Sequence, residues 1–321
     1  LGDVYKRQPQ YIFDSPDENN ESVRRLLEVE RPRAAFTSIQ YKLKEIHPPL
    51  LVQMLSAIAE KSRDKAGEYK PDEYYVRLAF QLIDLNPELT VEEKVGLEFT
   101  YIEVLTRPFR GKDQQQIPNL ELYIEEHPEL FVRAVVWTYK RGDGGEDPAE
   151  FRVREGREYL AQGGHRLLEA IERIPGQDQA TKEEQKKKLA DWVATVRRSC
   201  AELDRAEIAD VCLGKLLSNA PTGEDGVWPN EAVRDVMEDL QSENLSRGAH
   251  IGLYNARGVH CRGEGGDQEQ KLADKYRVWA DALQFTHPFV SSSLLMSMVN
   301  TYEREAKQHD TEACIQRRLK H

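Results

Sequence analysis

The stretch from Arg247 to Gly266 concentrates the residue types from which a binding site is most readily built. It holds six glycines, three arginines and two histidines, together with Cys261 and Glu264. Glycine admits positive φ and lets a ligand approach the main chain closely. A guanidinium presents a planar fork of donors that matches phosphate or carboxylate. Arg257, His260 and Arg262 therefore form a candidate anion site, with Asn255 and Glu264 beside them and Trp228 as an aromatic neighbour from another loop. A helix opening at Asp267 would add the positive end of its dipole. Asp267 itself, with Gln270 three residues on, reads as the cap of that helix, and its charge would repel an anion. The alternative is a long connecting loop whose arginines pair with the acidic surplus of the chain.

Recognised catalytic and metal motifs do not fit this stretch. Gly263-Glu264-Gly265-Gly266 lacks the Lys-Ser/Thr of a phosphate-binding P-loop and has no strand before it. His250 and His260 are ten residues apart, which does not place them on one helical face, and no zinc spacing appears, so no metal is expected. Cys200 and Cys212 fall on apolar stripes and read as core thiols, which leaves Cys261 as the expected exposed one. His47, His127 and His287 each precede a proline and read as cap or turn residues. No G-x-S-x-G, H-E-x-x-H or paired-carboxylate signature is present.

The elements that must position these residues are helical. Tyr75, Leu78, Ala79, Leu82 and Ile83 make one stripe at helical spacing, and Val95, Phe99, Ile102 and Leu105 another. Further stripes run through Leu189, Trp192, Val193, Val196 and Cys200, and through Ile208, Val211 and Cys212. Val233, Val236, Met237 and Leu240 form a short one, Leu272, Tyr276, Trp279, Ala280 and Leu283 a longer one, and Leu294, Leu295, Met298, Val299 and Tyr302 the last. Thr90 with Glu93, Thr181 with Glu184, and Asp204 with Glu207 read as helix-opening boxes, in which side chains satisfy orphan backbone N–H groups. Alternation of the kind that marks strands is almost absent. Proline after a short polar or histidine residue recurs at Pro48, Pro87, Pro128 and Pro288, the first three about 40 residues apart, a spacing known from helical-pair repeats.

The chain has 321 residues, with 45 Lys+Arg against 56 Asp+Glu and a net charge of −11. That balance argues against a nucleic-acid module held by phosphate contacts, which needs a basic face. Hydrophobic residues at 39% and charged residues at 31% suit a folded, helix-rich chain rather than a disordered one. No stretch approaches the roughly 18 apolar residues of a membrane span. Four cysteines without a CxxC point to a reducing, cytoplasmic compartment. The basic run Lys182, Lys186, Lys187 and Lys188 is interleaved with Glu183 and Glu184 and reads as a solvated helix face. Breaks are expected at 141–148, where a linker would divide the chain near 145, at 174–178, and at 220–229.

Leu1 to Gln8 resembles the translation of a sequencing-library adapter and is read as an artefact, which would make residue 9 an internal position of a longer protein. Residues 9–20 are polar and turn-like. The second half resembles the C-terminal helical region of large uncharacterised bacterial proteins. The likeness rests on Arg205-Ala206-Glu207-Ile208, on Gly223-Glu224-Asp225-Gly226-Val227-Trp228-Pro229 and on Ile251 to His260. It continues through Arg262 to Gly266 and Leu272 to Ala280, with an aromatic in that pattern where this chain has Cys261. It extends weakly through Ile117 to Glu121 and Tyr139 to Arg141. Such proteins resemble bacterial defence or signalling proteins in which a helical C-terminal sensor follows an effector domain.

These readings predict an all-α fold, an irregular stack of antiparallel helices with HEAT-like pairing as its regular form. They divide it into subdomains over 21–145 and 146–321. The expected role is a non-catalytic interaction or sensor module, without cofactor, for a protein partner. The alternative is a nucleotide- or phosphate-binding domain or enzyme on the 247–266 loop, with His260 as acid or base.

Overall fold

A computed structural model describes residues 15–64, 71–107, 117–152, 158–258 and 265–319, with the backbone alone at 61–64. The described residues are all-α, with no strand among them. No described helix is long and apolar enough to cross a membrane. The chain divides into two compact units, Leu1–Tyr123 and Ile124–His321. The 141–148 segment lies within the second unit and is tied down there. Gly142 and Asp143 donate backbone N–H bonds to Asp204, and Asp147 pairs with the buried Arg205.

The first unit runs α1 (Pro16–Glu28), α2 (Pro32–Ile39), a 3-10 stretch Gln40–Glu45, α3 (Pro48–Asp64), α4 (Glu73–Asp84), α5 (Val91–Thr100), α6 (Ile102–Leu105) and the start of α7 (Pro118–Glu126). Prolines open several of these helices, since their missing N–H would be unpaired in the first turn anyway. Pro87 does not. It lies in a turn where Asn86 accepts the Glu88 N–H, and α5 opens four residues later at the Thr90–Glu93 capping box. The core gathers Phe36, Ile39, Leu51, Met54, Leu55, Phe80, Ile83 and Leu105.

Three buried charged groups hold helix ends in this unit. Arg77 donates to the carbonyls of Val104, Leu105 and Arg107, closing the C-terminus of α6. Lys94 donates to the carbonyls of Asp84 and Asn86 at the end of α4. Glu98, fully buried, accepts from the backbone N–H groups of Asn119 and Leu120 and from the Asn119 amide at the start of α7. The inward turn of Arg77 rotates α4 away from its expected stripe: Val76, Ala79, Phe80 and Ile83 are buried, while Tyr75, Leu78 and Leu82 are only half so. The expected single helix through Val95 and Leu105 breaks at Tyr101, whose hydroxyl donates to the Leu55 carbonyl.

The second unit continues with α8 (Pro128–Thr138), α9 (Tyr159–Ala170), α10 (Lys182–Glu202), α11 (Ala206–Leu217), α12 (Glu231–Leu240), α13 (Glu243–Ala256) and α14 (Asp267–Leu283). A π-helical stretch, Val290–Leu295, then runs into α15 (Met296–Leu319). The Thr181–Glu184 capping box opens α10 as expected. Asp204 does not open α11. It takes a positive φ of 55° and ends α10, with the Arg205 N–H returning to the Cys200 carbonyl. Cys200 and Cys212 are buried in the core, and burial pushes their thiols up to about 12 and about 11. The exposed thiol among the described residues is Cys314 on α15, while Cys261 lies outside them.

Helices α11 and α13 approach closely because glycine stands at their contact. A Cβ on Gly214 would lie 2.0 Å from the Leu245 carbonyl oxygen, and one on Gly248 2.1 Å from that of Val211. A Cβ on Gly252 would meet the Ser218 hydroxyl at 2.0 Å. Side chains cannot occupy such space without separating the helices.

Two outcomes follow. Gly248→Ala should lower stability by about 3 kcal/mol or more. Gly96→Ala, where a Cβ meets nothing within 4 Å, should raise it by about 0.5 kcal/mol. Urea denaturation of both variants checks the contrast. Burial also pushes the Glu98 carboxyl up from 4.5 to about 7, beyond what its three hydrogen bonds recover. The folded chain then holds a proton that the unfolded chain has released, so stability should fall as pH rises through that window and level off above it. In Glu98→Gln this contribution to the slope should vanish, as read from urea midpoints between pH 5 and 8.

Candidate functional site

The segment marked out by its glycines and arginines is a helix for its first half. Residues Arg247 to Ala256 belong to α13, and Gly248 and Gly252 serve helix packing rather than ligand approach. Arg257 caps the helix and Gly258 follows at φ 61°. His260, Arg262, Glu264 and Cys261 lie outside the described residues.

Arg257 faces inward. It donates to Glu269 at 2.8 Å and lies 3.8 Å from Glu305, with its guanidinium carbon 5.6 Å from the centre of the Tyr302 ring. Glu269 is 1% exposed. Burial alone would raise its pKa, but the hydrogen bond and charge of Arg257 and the backbone donor hold it below the ordinary range. Tyr254 donates to Glu305 and stacks on Tyr302, which stacks in turn on Tyr276. An incoming anion would compete with two carboxylates for this guanidinium. The helix after it opens at Gly266, whose N–H is taken by Asp310, so Asp267 stands in the first turn rather than as the cap. Asn255 is exposed near the end of α13. Trp228 is 5% exposed, and its indole N–H is used by the Ala220 carbonyl, so it is a core residue of its loop.

A different set of α13 side chains opens onto a groove. Glu243, Ser246, Arg247, His250 and Ile251 form one wall, and Ser293 and Ser297 the other, around a volume of about 480 Å³. Helical spacing explains the first wall, because residues three and four apart lie on one face. The second wall depends on the π-helical stretch, a wide turn that recurs at functional sites. Glu238 holds the start of that stretch by accepting from the N–H groups of Phe289 and Val290. Ser291 anchors it by donating to the Ala280 carbonyl at 2.7 Å. His287, expected only as a turn residue, also reaches Asp235 on α12 at 2.8 Å.

Inside the groove His250 meets hydroxyls at both ring nitrogens: Ser297 at 3.1 Å from Nδ1 and Thr301 at 3.5 Å from Nε2. Burial, and then the charge of Arg304, lower its pKa below the ordinary imidazole value, so the ring is neutral at pH 7. Ser246 is 3% exposed. Among the described residues, the Ser246 and Ser293 hydroxyls, the Arg247 guanidinium and the Glu243 carboxylate have no hydrogen-bond or ion-pair partner. Reading the sequence for clustered glycine and arginine missed this groove. The signal that marks it is a pair of polar stripes at helical spacing, Glu243–Arg247 with Ser246–His250, and Ser293–Ser297–Thr301.

Comparison with protein-family models, with curated protein sequences and with solved structures gives no match to this chain. Among the described residues no group of His, Cys, Asp and Glu is arranged to hold a metal ion.

Arg257→Met should destabilise the protein by about 3 kcal/mol, because it leaves Glu269 buried without its cation. Part of that loss should be recovered by adding Glu269→Gln, as thermal denaturation of the single and double variants would show. Because Glu269 is held below its ordinary pKa, its contribution should be present at neutral pH and be lost as pH falls below the ordinary carboxylate range, through the lowered folded value.

Proposed function

We propose that this chain is a non-catalytic helical interaction and sensor module whose ligand-receiving surface is the groove between α13 and the π-helical stretch. The observation that carries the reading is the uncommitted pair of charges in that groove. Elsewhere in the second unit the buried charges are engaged, as in Arg205 with Asp147, Arg234 with Asp225 and Asp210 with Arg197. Arg247 and Glu243 are charged and exposed and, among the described residues, unpaired, beside hydroxyls that also lack partners there.

The histidine supports holding over turnover. A serine nucleophile needs a base whose second nitrogen is oriented by a further group, most often a carboxylate. Here the second nitrogen of His250 faces the Thr301 hydroxyl. A protein is the partner class this reading favours. Val278 on α14 at 66% exposure and Phe285 in the turn after that helix at 88% leave large apolar side chains on the surface.

The test is hydrolysis of an activated ester, p-nitrophenyl acetate, by the full chain and by His250→Ala and Ser297→Ala. Equal rates are expected for all three. A fall of about 100-fold in either variant, the least a general base contributes, would overturn the reading in favour of an enzyme.

A further inference from the structure

We propose that the groove binds a small zwitterion, a molecule carrying a carboxylate or phosphate close to an ammonium group, as free amino acids do. The proposal rests on the binding-module reading and names its ligand. Arg247 and Glu243 stand one helical turn apart on the same face of α13, a spacing at which opposite charges commonly meet, yet they make no ion pair. A ligand that is only anionic would be drawn to Arg247 and repelled by Glu243, and a cation would meet the reverse. A ligand with both charges satisfies both side chains at once. The groove as a whole is then neutral toward its ligand, since His250 is uncharged at pH 7.

The remaining lining fits the same chemistry. The Ser246 and Ser293 hydroxyls have no partner among the described residues, and each can donate to an oxyanion held by Arg247. Ser246 is 3% exposed overall and lines the groove, so the little surface it keeps faces the space a ligand would fill. The Ser297–His250 pair closes one side at 3.1 Å and keeps the imidazole in place. Ile251 supplies an apolar contact for a side chain. A volume of about 480 Å³ is within the range of small-molecule sites.

The experiment is isothermal titration of the full chain with each of the common amino acids and with phosphoethanolamine. The best binder is then compared with its N-acetyl and methyl ester forms, which lack the ammonium and the carboxylate respectively. A carboxylate probe and phosphoethanolamine distinguish the two oxyanion sources. At least one zwitterion should bind, with both blocked forms weaker by about tenfold or more, the factor that corresponds to 1.4 kcal/mol. Arg247→Ala and Glu243→Gln change exposed positions and should keep the wild-type melting temperature while losing that binding. If no zwitterion binds, if the blocked forms bind as well as the free one, or if either variant binds like wild type, the proposal is overturned. Its failure alone leaves ester hydrolysis independent of His250, whereas failure of the module reading shows as His250-dependent hydrolysis.

Discussion

Helix ends are the constraint on which this structure depends. A fold made of many short helices has many ends, and each leaves four backbone donors or acceptors without an intrahelical partner. Burying such ends is costly unless something meets them. This chain meets several of them with charged side chains sent inward from other helices. Arg77 closes α6, Lys94 closes α4, Glu98 opens α7 and Glu238 opens the π-helical stretch. Arg205 does the same in the second unit, where it reaches the carbonyls of Tyr139 and Leu203. The charged groups gain hydrogen bonds that offset their desolvation, and the helices gain ends that can be packed. Removing one partner would strand both.

The second unit shows how this principle separates structural charge from available charge. Arg257 has the appearance of a ligand-binding arginine in sequence, but it ties the end of α13 to α14 and α15 through Glu269 and Glu305. Arg247, ten residues earlier on the same helix, is left exposed in a groove. Glycine contacts between α11 and α13 set the depth at which α13 sits, and the wide turn at Val290–Leu295 sets the opposite wall. The groove therefore depends on two backbone features, the glycine contacts, which supply no side chain to it, and the wide turn, which supplies Ser293.

Local signals were legible where the physics is local. The Thr90–Glu93 and Thr181–Glu184 boxes open helices as read, because both partners lie within one turn. The stripe from Leu294 to Tyr302 is buried throughout. The same kind of signal misled at Asp204, where the left-handed end of α10 took the residue that could have opened α11. It misled again at Pro87, where an Asx turn competed with a helix start. The groove was only partly legible: the stripes are present in the sequence, but nothing local says that the α13 stripe faces the one on α15.

By itself the sequence determined the all-α class, most helix positions and the core thiols, since helical periodicity and capping act over a few residues and do not need the rest of the chain. Tertiary structure decided which charges are buried, which glycines touch a neighbouring helix and which charged side chains line the groove. Those outcomes depend on contacts between residues far apart in the chain, such as Arg77 with Leu105, Gly248 with Val211 and His250 with Ser297. Such a contact exists only after the helices have packed, so no reading of either partner's own neighbourhood contains it.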